Sequence, residues 1–161
     1  MDSWTVISRT EHKESRWLPR QGYDFAAKLQ VVELLVAEIS TLLPYYTFGF
    51  TKEADEKYHL IALLGLGGER NLYVNLEGKW LCEFVPSALR GYPFRLANAE
   101  DETRVLCINE SHLSEETEAT PLFDDESSLA PDIVETLNFL QNCDINQKKT
   151  QLACDVLAEA G

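Results

Sequence analysis

The sequence has few basic residues and no long hydrophobic run. Lys and Arg number 14 against 27 Asp and Glu in 161 residues, a formal net charge of -13. Proteins that bind nucleic acids neutralise phosphates with Lys and Arg, and no basic cluster is present here. The longest stretch without a charged residue, 39–51, is shorter than the roughly 20 apolar residues of a membrane helix. We therefore expect neither a nucleic-acid partner nor a membrane-spanning segment.

Cysteine and histidine lack the spacing of metal or redox motifs. No CxxC pair exists among the four cysteines, which are Cys82, Cys107, Cys143 and Cys154. Each lies among apolar neighbours, where a free cysteine usually behaves as a small core residue. The histidines are far apart along the chain, at His12, His59 and His112. A metal site would have to be assembled by the fold, so we predict no metal and no cofactor.

No targeting or boundary signal is visible. The N-terminal residues show no basic start followed by an apolar stretch, which predicts a cytoplasmic protein. Export to the cell surface by a route without a signal peptide stays open. Neither an internal repeat nor a low-complexity tract divides the chain, so a single domain over residues 1–161 is predicted.

Two helices are predicted, one on each side of a β-rich middle. Apolar residues at steps of three and four from Phe25 to Leu43 favour an amphipathic helix that Pro44 ends. The β-branched pair Val31 and Val32 leaves a strand open for its first part. A second helix is expected from Asp132 to about Ala158, with a break allowed near residues 142–146.

The middle of the chain reads as short strands joined by turns. The runs richest in β-branched and aromatic residues are 45–50, 58–66, 71–76, 80–85, 94–97 and 104–108. Gly78 supplies the turn of a hairpin between the third and fourth of these runs. Short links imply antiparallel pairing. The sequence therefore predicts an α+β fold: a central, mainly antiparallel sheet with an N-terminal helix and a long C-terminal helix packed on it.

Known site motifs are incomplete in this chain. The glycines at 65–68 lack the further residues of a dinucleotide or Walker loop and favour a turn between strands. Residues 99–126 carry ten acids and one arginine, a pattern typical of a solvated loop. Within that segment, residues 124–126 lack the spacing of a calcium loop. We predict no catalytic motif.

An enzyme site assembled by the fold stays open as an alternative. Glu38 lies in an apolar segment and could act as an acid or base together with His12 and Arg90, with Asn71 as a further polar residue. More often such a residue is a structural ion-pair partner, and Arg90 or Arg95 could serve as its cation. A thiol nucleophile, Cys82 or Cys107 with His59 as base, has no local support in the sequence.

Residues 80–95 combine aromatic and arginine side chains in a short connection. Trp, Tyr and Arg are enriched where proteins bind one another. The partner-binding residues we predict are Trp80, Arg90, Tyr92 and Arg95. In the alternative interpretation, Trp80, Phe84 and Phe94 fill the core and Arg90 pairs with a carboxylate.

The same stretch resembles the bacterial SapC family. The matching strings occur in the same order as in the family, at 61–66, 69–74, 78–80, 85–86 and 89–94. Further similar strings lie at 8–12, 25–38, 106–110, 113–116, 121–124 and 137–140, so the resemblance covers nearly the whole chain.

The resemblance implies an association with the bacterial surface layer rather than a chemical activity. The family is named for a surface-layer-associated protein and implies no established activity, cofactor or catalytic residue; its usual members extend further at the C-terminus. We expect a non-enzymatic accessory protein that binds a protein or glycan-related partner, with a homo-oligomer left open. A third hypothesis is a surface-layer component that self-assembles with calcium through the acidic segment.

Overall fold

The structure is a computed structural model that describes residues 3–54, 56–99, 103–124 and 128–160. Its strands and α-helices are, in chain order, β1 (Trp4–Val6), β2 (Arg16–Trp17), β3 (Val31–Glu33), α1 (Ile39–Leu42), β4 (Phe48–Lys52), β5 (Tyr58–Leu63), α2 (Ser87–Arg90), β6 (Phe94–Asn98), β7 (Arg104–Asn109), β8 (Leu113–Ser114), β9 (Thr120–Pro121) and α3 (Pro131–Ala160). Short 3-10 helices occupy Asp24–Ala26, Val36–Glu38 and Glu110–His112. The α+β prediction is confirmed.

The chain divides into two compact units. Unit 1 comprises Met1–Arg20 and Gly91–Gln141, and unit 2 comprises Gln21–Arg90 and Asn142–Gly161. The helix α3 contributes its first part to unit 1 and the rest to unit 2.

Unit 1 contains two three-stranded antiparallel sheets, with strand orders β1-β7-β6 and β8-β2-β9. In the first sheet Phe94 lies opposite Ile108, and both side chains belong to the core of the unit. Leu122 and Ile133, from the chain after β9 and from α3, complete this core at 0% exposure. Because side chains alternate along a strand, Arg95 points to the other face of the sheet.

Unit 2 is built on the antiparallel sheet β3-β5-β4. Its central strand β5 buries Leu60 and Ala62 against a core that also holds Trp80 and Cys154. After β5 the glycines form the predicted turn, with a φ of 98° at Gly67 and 75° at Gly68.

The predicted helix over 25–43 is wrong. The segment instead forms two 3-10 helices, the strand β3 and the four-residue α1. Val31 and Val32 pair with Leu63 and Ala62 of β5. Backbone pairing with this apolar strand outweighs the helical spacing, and the β-branched pair was the signal that left a strand open.

The other elements follow the sequence more closely. The strands predicted at 58–66, 94–97 and 104–108 are confirmed with small shifts, and α3 runs unbroken through 142–146. The predicted hairpin reduces to a single bridge between Val74 and Trp80, with Gly78 at a φ of 74°. Three small sheets replace the one central sheet. Among the described residues, no helix is both long and apolar enough to cross a membrane.

Candidate functional site

Four side chains form a continuous group on unit 1, which we call the aromatic row: Arg95, Trp4, Tyr92 and His112. The Arg95 guanidinium lies 4.2 Å from the centre of the Trp4 ring. The Trp4 and Tyr92 rings meet edge to face at 6.0 Å, and Tyr92 meets His112 in the same way at 5.1 Å. Arg95 is exposed, and the three rings are half-buried.

Strand register brings the aromatic row together. Trp4 of β1 pairs with Asn109 of β7, and Cys107, two residues earlier on the same face, pairs with Arg95 of β6. Trp4 and Arg95 are thus diagonal neighbours across β7. His112 follows β7, and its Nδ1 lies 2.7 Å from the carbonyl oxygen of Leu18, which fixes the ring.

Trp80 does not belong to such a surface, because it lies in the core of unit 2. It is 6% exposed, and its indole N–H donates to the Tyr46 hydroxyl at 3.0 Å. The core interpretation, which the sequence left open beside partner binding, is the one that the structure supports for Trp80 and Phe94. Of the predicted partner-binding residues, Tyr92 and Arg95 share the aromatic row.

Arg90 lies instead in unit 2, at the end of α2. It is part of a polar group that we call the Glu38 cluster, formed by Glu38, Ser87, Arg90 and Cys143. The Glu38 carboxylate accepts hydrogen bonds from the Ser87 backbone N–H at 2.8 Å and from the Ser87 hydroxyl at 2.7 Å. It also accepts one from the Leu35 N–H at 3.0 Å. Both carboxylate oxygens of Glu38 therefore accept hydrogen bonds from neighbouring residues.

The Glu38 cluster shifts the ionisation of Cys143. Burial raises the pKa of the Cys143 thiol, while the hydrogen bond with Ser87 and the Arg90 charge lower it in part and the Glu38 charge raises it further. Because the thiolate is the reactive form of cysteine, this environment disfavours nucleophilic catalysis by Cys143.

The remaining residues of the predicted polar site are held by their own surroundings. His12 lies in unit 1, where its Nδ1 accepts the Ser8 N–H at 3.2 Å and closes a tight turn. Asn71 lies in unit 2 at 0% exposure; it donates to the Ala26 carbonyl at 3.0 Å and accepts the Tyr73 N–H at 2.9 Å. These contacts give both residues structural roles.

A third group of side chains was not predicted from the sequence. One ligand atom from each of Glu33, Glu53 and His59 lies within 4.8 Å of the others in unit 2. These residues are 20 and 6 positions apart, which matches no metal motif. Of the acidic segment 99–126, residues 100–102, 125 and 126 lie outside the described residues, so the structure does not describe most of residues 124–126.

A comparison with protein-family models identifies the family of this chain. The SapC family model matches residues 7–161. The chain belongs to the SapC family. The search of curated proteins and the search of solved structures returned no match.

Proposed function

We propose that this SapC protein is a non-enzymatic bacterial interaction protein that binds a protein partner through the aromatic row of unit 1. The single observation that carries the proposal is the contact of the Arg95 guanidinium with Trp4, continued by Tyr92 and His112. Arginine and aromatic side chains contribute most of the binding energy at many interfaces, because they combine contact area with directed hydrogen bonds.

The packing of the rings favours a protein over a sugar. Sugars stack on flat, open ring faces, whereas Arg95 covers one face of Trp4 and Tyr92 meets it edge to face. Arg95 presents hydrogen-bond donors that fit a carboxylate or a backbone carbonyl. The excess of acidic residues also disfavours an acidic glycan.

The setting we propose is the bacterial cell surface, in line with the surface-layer association implied by the family resemblance. A surface protein with a positively charged face would be attracted to a chain of charge -13. The partner would then place a carboxylate or carbonyl group on Arg95 and apolar groups against Trp4 and Tyr92.

The test is affinity capture of the tagged full chain from its native bacterium, followed by quantitative mass spectrometry and by binding measurements with the purified partner. Arg95→Ala is expected to weaken binding by at least about tenfold, the scale of an interface hot spot. Arg9→Ala removes an exposed arginine of the same unit and is the matched control. Thermal unfolding of each variant establishes that the fold is kept.

Three results would overturn the proposal. Equal capture by wild type, Arg95→Ala and Trp4→Leu would show that the aromatic row is not the contact surface. Binding to a glycan array with no protein captured would replace the protein partner by a sugar. Turnover of a captured small molecule would move the chain to the class of enzymes.

A further inference from the structure

Unit 2 brings two carboxylates and one imidazole to one face of its sheet. Glu33 ends β3, His59 lies near the start of β5, and Glu53 directly follows β4. Thr51 pairs with His59, and the Glu53 N–H donates to the Lys57 carbonyl at 3.0 Å, which extends the β4–β5 pairing to Glu53. Because side chains alternate, Glu53 shares the face of Thr51 and His59.

Glu33 reaches the same face from the other side of β5. It pairs with Ile61, two residues after His59, so that the Glu33 and His59 side chains are diagonal neighbours. The Glu33 Oε1 and His59 Nδ1 atoms are 3.8 Å apart. This exceeds the range of a hydrogen bond but lies close to the roughly 3.4 Å between two ligands of one tetrahedral ion with bonds of about 2.1 Å.

A contact with α3 orients Glu33, and His59 is mostly buried. The second Glu33 oxygen accepts a hydrogen bond from the Gln147 side chain of α3 at 3.0 Å, which leaves Oε1 on the side of His59. Outer contacts of this kind orient ligands in metal sites. The His59 side chain is 15% exposed and Glu33 is 46% exposed, so an ion would meet a mostly buried imidazole and solvent-accessible carboxylates.

Charge balance also favours a cation at this place. Lys52, next to Glu53 in sequence, pairs with Glu56 rather than with Glu53. Within the described residues, the Glu53 side chain forms neither a hydrogen bond nor an ion pair. Two carboxylates thus converge beside an imidazole, and a divalent ion would neutralise both.

We propose that Glu33, Glu53 and His59 form a binding site for a divalent transition-metal ion, with Zn²⁺ as the expected occupant. One imidazole nitrogen and two carboxylate oxygens are ligands that zinc accepts, and water would complete a tetrahedron. Calcium and magnesium prefer oxygen ligands alone, so the imidazole selects against them. The site lies in unit 2, whereas the partner surface proposed above lies in unit 1.

The test is a zinc titration of the full chain, stripped of metal with a chelator and followed by calorimetry. We expect one Zn²⁺ per chain in the wild type and at least tenfold weaker binding in Glu53→Gln. The exposed position of Glu53 keeps this variant folded. Glu77→Gln makes the same charge change at another exposed residue of unit 2 and should bind like the wild type.

Substitution with Co²⁺ separates this site from the four free cysteines. A nitrogen and oxygen ligand set gives visible cobalt bands without the near-ultraviolet band of a thiolate ligand. A thiolate band, equal zinc affinity in wild type and Glu53→Gln, or no saturable zinc binding by the wild type would each overturn the proposal. His59→Gln, checked for folding by thermal unfolding, should also lose the cobalt bands.

Discussion

Tyr46 shows how a single hydroxyl joins several parts of unit 2. The side chain is 6% exposed and stacks on Tyr73 with ring centres 4.6 Å apart. Its hydroxyl accepts the Trp80 indole N–H and donates to the Phe84 carbonyl. A buried hydroxyl needs partners of this kind, because one left unpaired would lose its hydrogen bonds to water.

The buried position of Tyr46 predicts a loss of stability at high pH. Burial raises the pKa of the Tyr46 phenol above its usual value of 10.0. The unfolded chain therefore releases this proton at lower pH than the folded one, so the stabilisation is complete below pH 10 and is lost as the pH rises above it. Tyr46→Phe should reduce the slope of unfolding free energy against pH by about 1 kcal/mol per pH unit in that range.

Urea unfolding from pH 8 upward measures this slope. Tyr58→Phe, at a tyrosine that is 40% exposed, is the matched control for the loss of a hydroxyl. An unchanged slope in Tyr46→Phe would contradict the prediction.

For single residues, the sequence showed which side chains could bind a partner but not whether each one lies in the core or at the surface. The sequence grouped Trp80, Arg90, Tyr92 and Arg95 as partner-binding residues, and the structure brings only Tyr92 and Arg95 of these into the aromatic row. Trp80 and Tyr92 are only 12 positions apart, yet one lies in the core of unit 2 and the other in unit 1. Trp4 and His112 come from distant parts of the chain, so only strand pairing could add them.

At the element scale, Glu38 ties two short helices together. It ends the 3-10 helix Val36–Glu38, and it holds the first residue of α2 through two hydrogen bonds to Ser87. Ser87 is 4% exposed, so the pairing is shielded from water on one side. Helices as short as these gain their stability from such contacts rather than from their own backbone bonds.

The Glu38 cluster therefore predicts a coupled loss of stability. Glu38→Ala should lower the free energy of unfolding by about 2 kcal/mol, because it leaves three donors without their charged acceptor. Ser87→Ala should cost about 1 kcal/mol, and the double variant should cost less than the sum of the two. Chemical denaturation of all three variants measures the coupling.

The exposed Glu77 offers a matched control for that experiment. Glu77→Ala is expected to change stability by less than about 0.5 kcal/mol. Strict additivity of Glu38→Ala and Ser87→Ala would mean that the two side chains do not stabilise the fold through each other.

Elements with local signals were predictable, and elements that depend on partners were not. The helix α3 has 30 residues and begins at Pro131. Proline is favoured at the first position of a helix, so the start of α3 is visible in the sequence. The segment 25–43 also shows helical spacing, but Val31 and Val32 pair with residues 63 and 62. The strand forms because β5 lies beside it, and nothing within the segment itself specifies that neighbour.

For the whole molecule, charge of one sign is the dominant electrostatic feature. The net charge is -13, and ten of the 27 acids lie between residues 99 and 126, in unit 1. Like charges repel one another most strongly in the compact state, and salt screens this repulsion with a Debye length of about 10 Å at 0.1 M. The pair of Lys52 with Glu56 is exposed on both sides, and in the pair of Lys148 with Asp144 the lysine is exposed, so both contribute little against this repulsion.

Added salt is therefore expected to stabilise the chain. Raising NaCl from low to physiological concentration should increase the unfolding free energy by about 1 kcal/mol, which corresponds to roughly 2–4 °C in Tm for a chain of this size. Thermal unfolding over a salt series measures the change. A fall in Tm with salt would show that attractive pairs, rather than repulsion, dominate the electrostatics of the fold.

Composition and local sequence pattern account for the acidic charge, the α+β class, the long C-terminal helix, three of the strands and membership of the SapC family. Which residues contact one another follows only from the fold. The aromatic row joins residues 4 and 112, and the group of Glu33, Glu53 and His59 joins three strands. Antiparallel register sets these contacts. Register depends on which distant strands pair, and the residues of one strand alone do not indicate its partner.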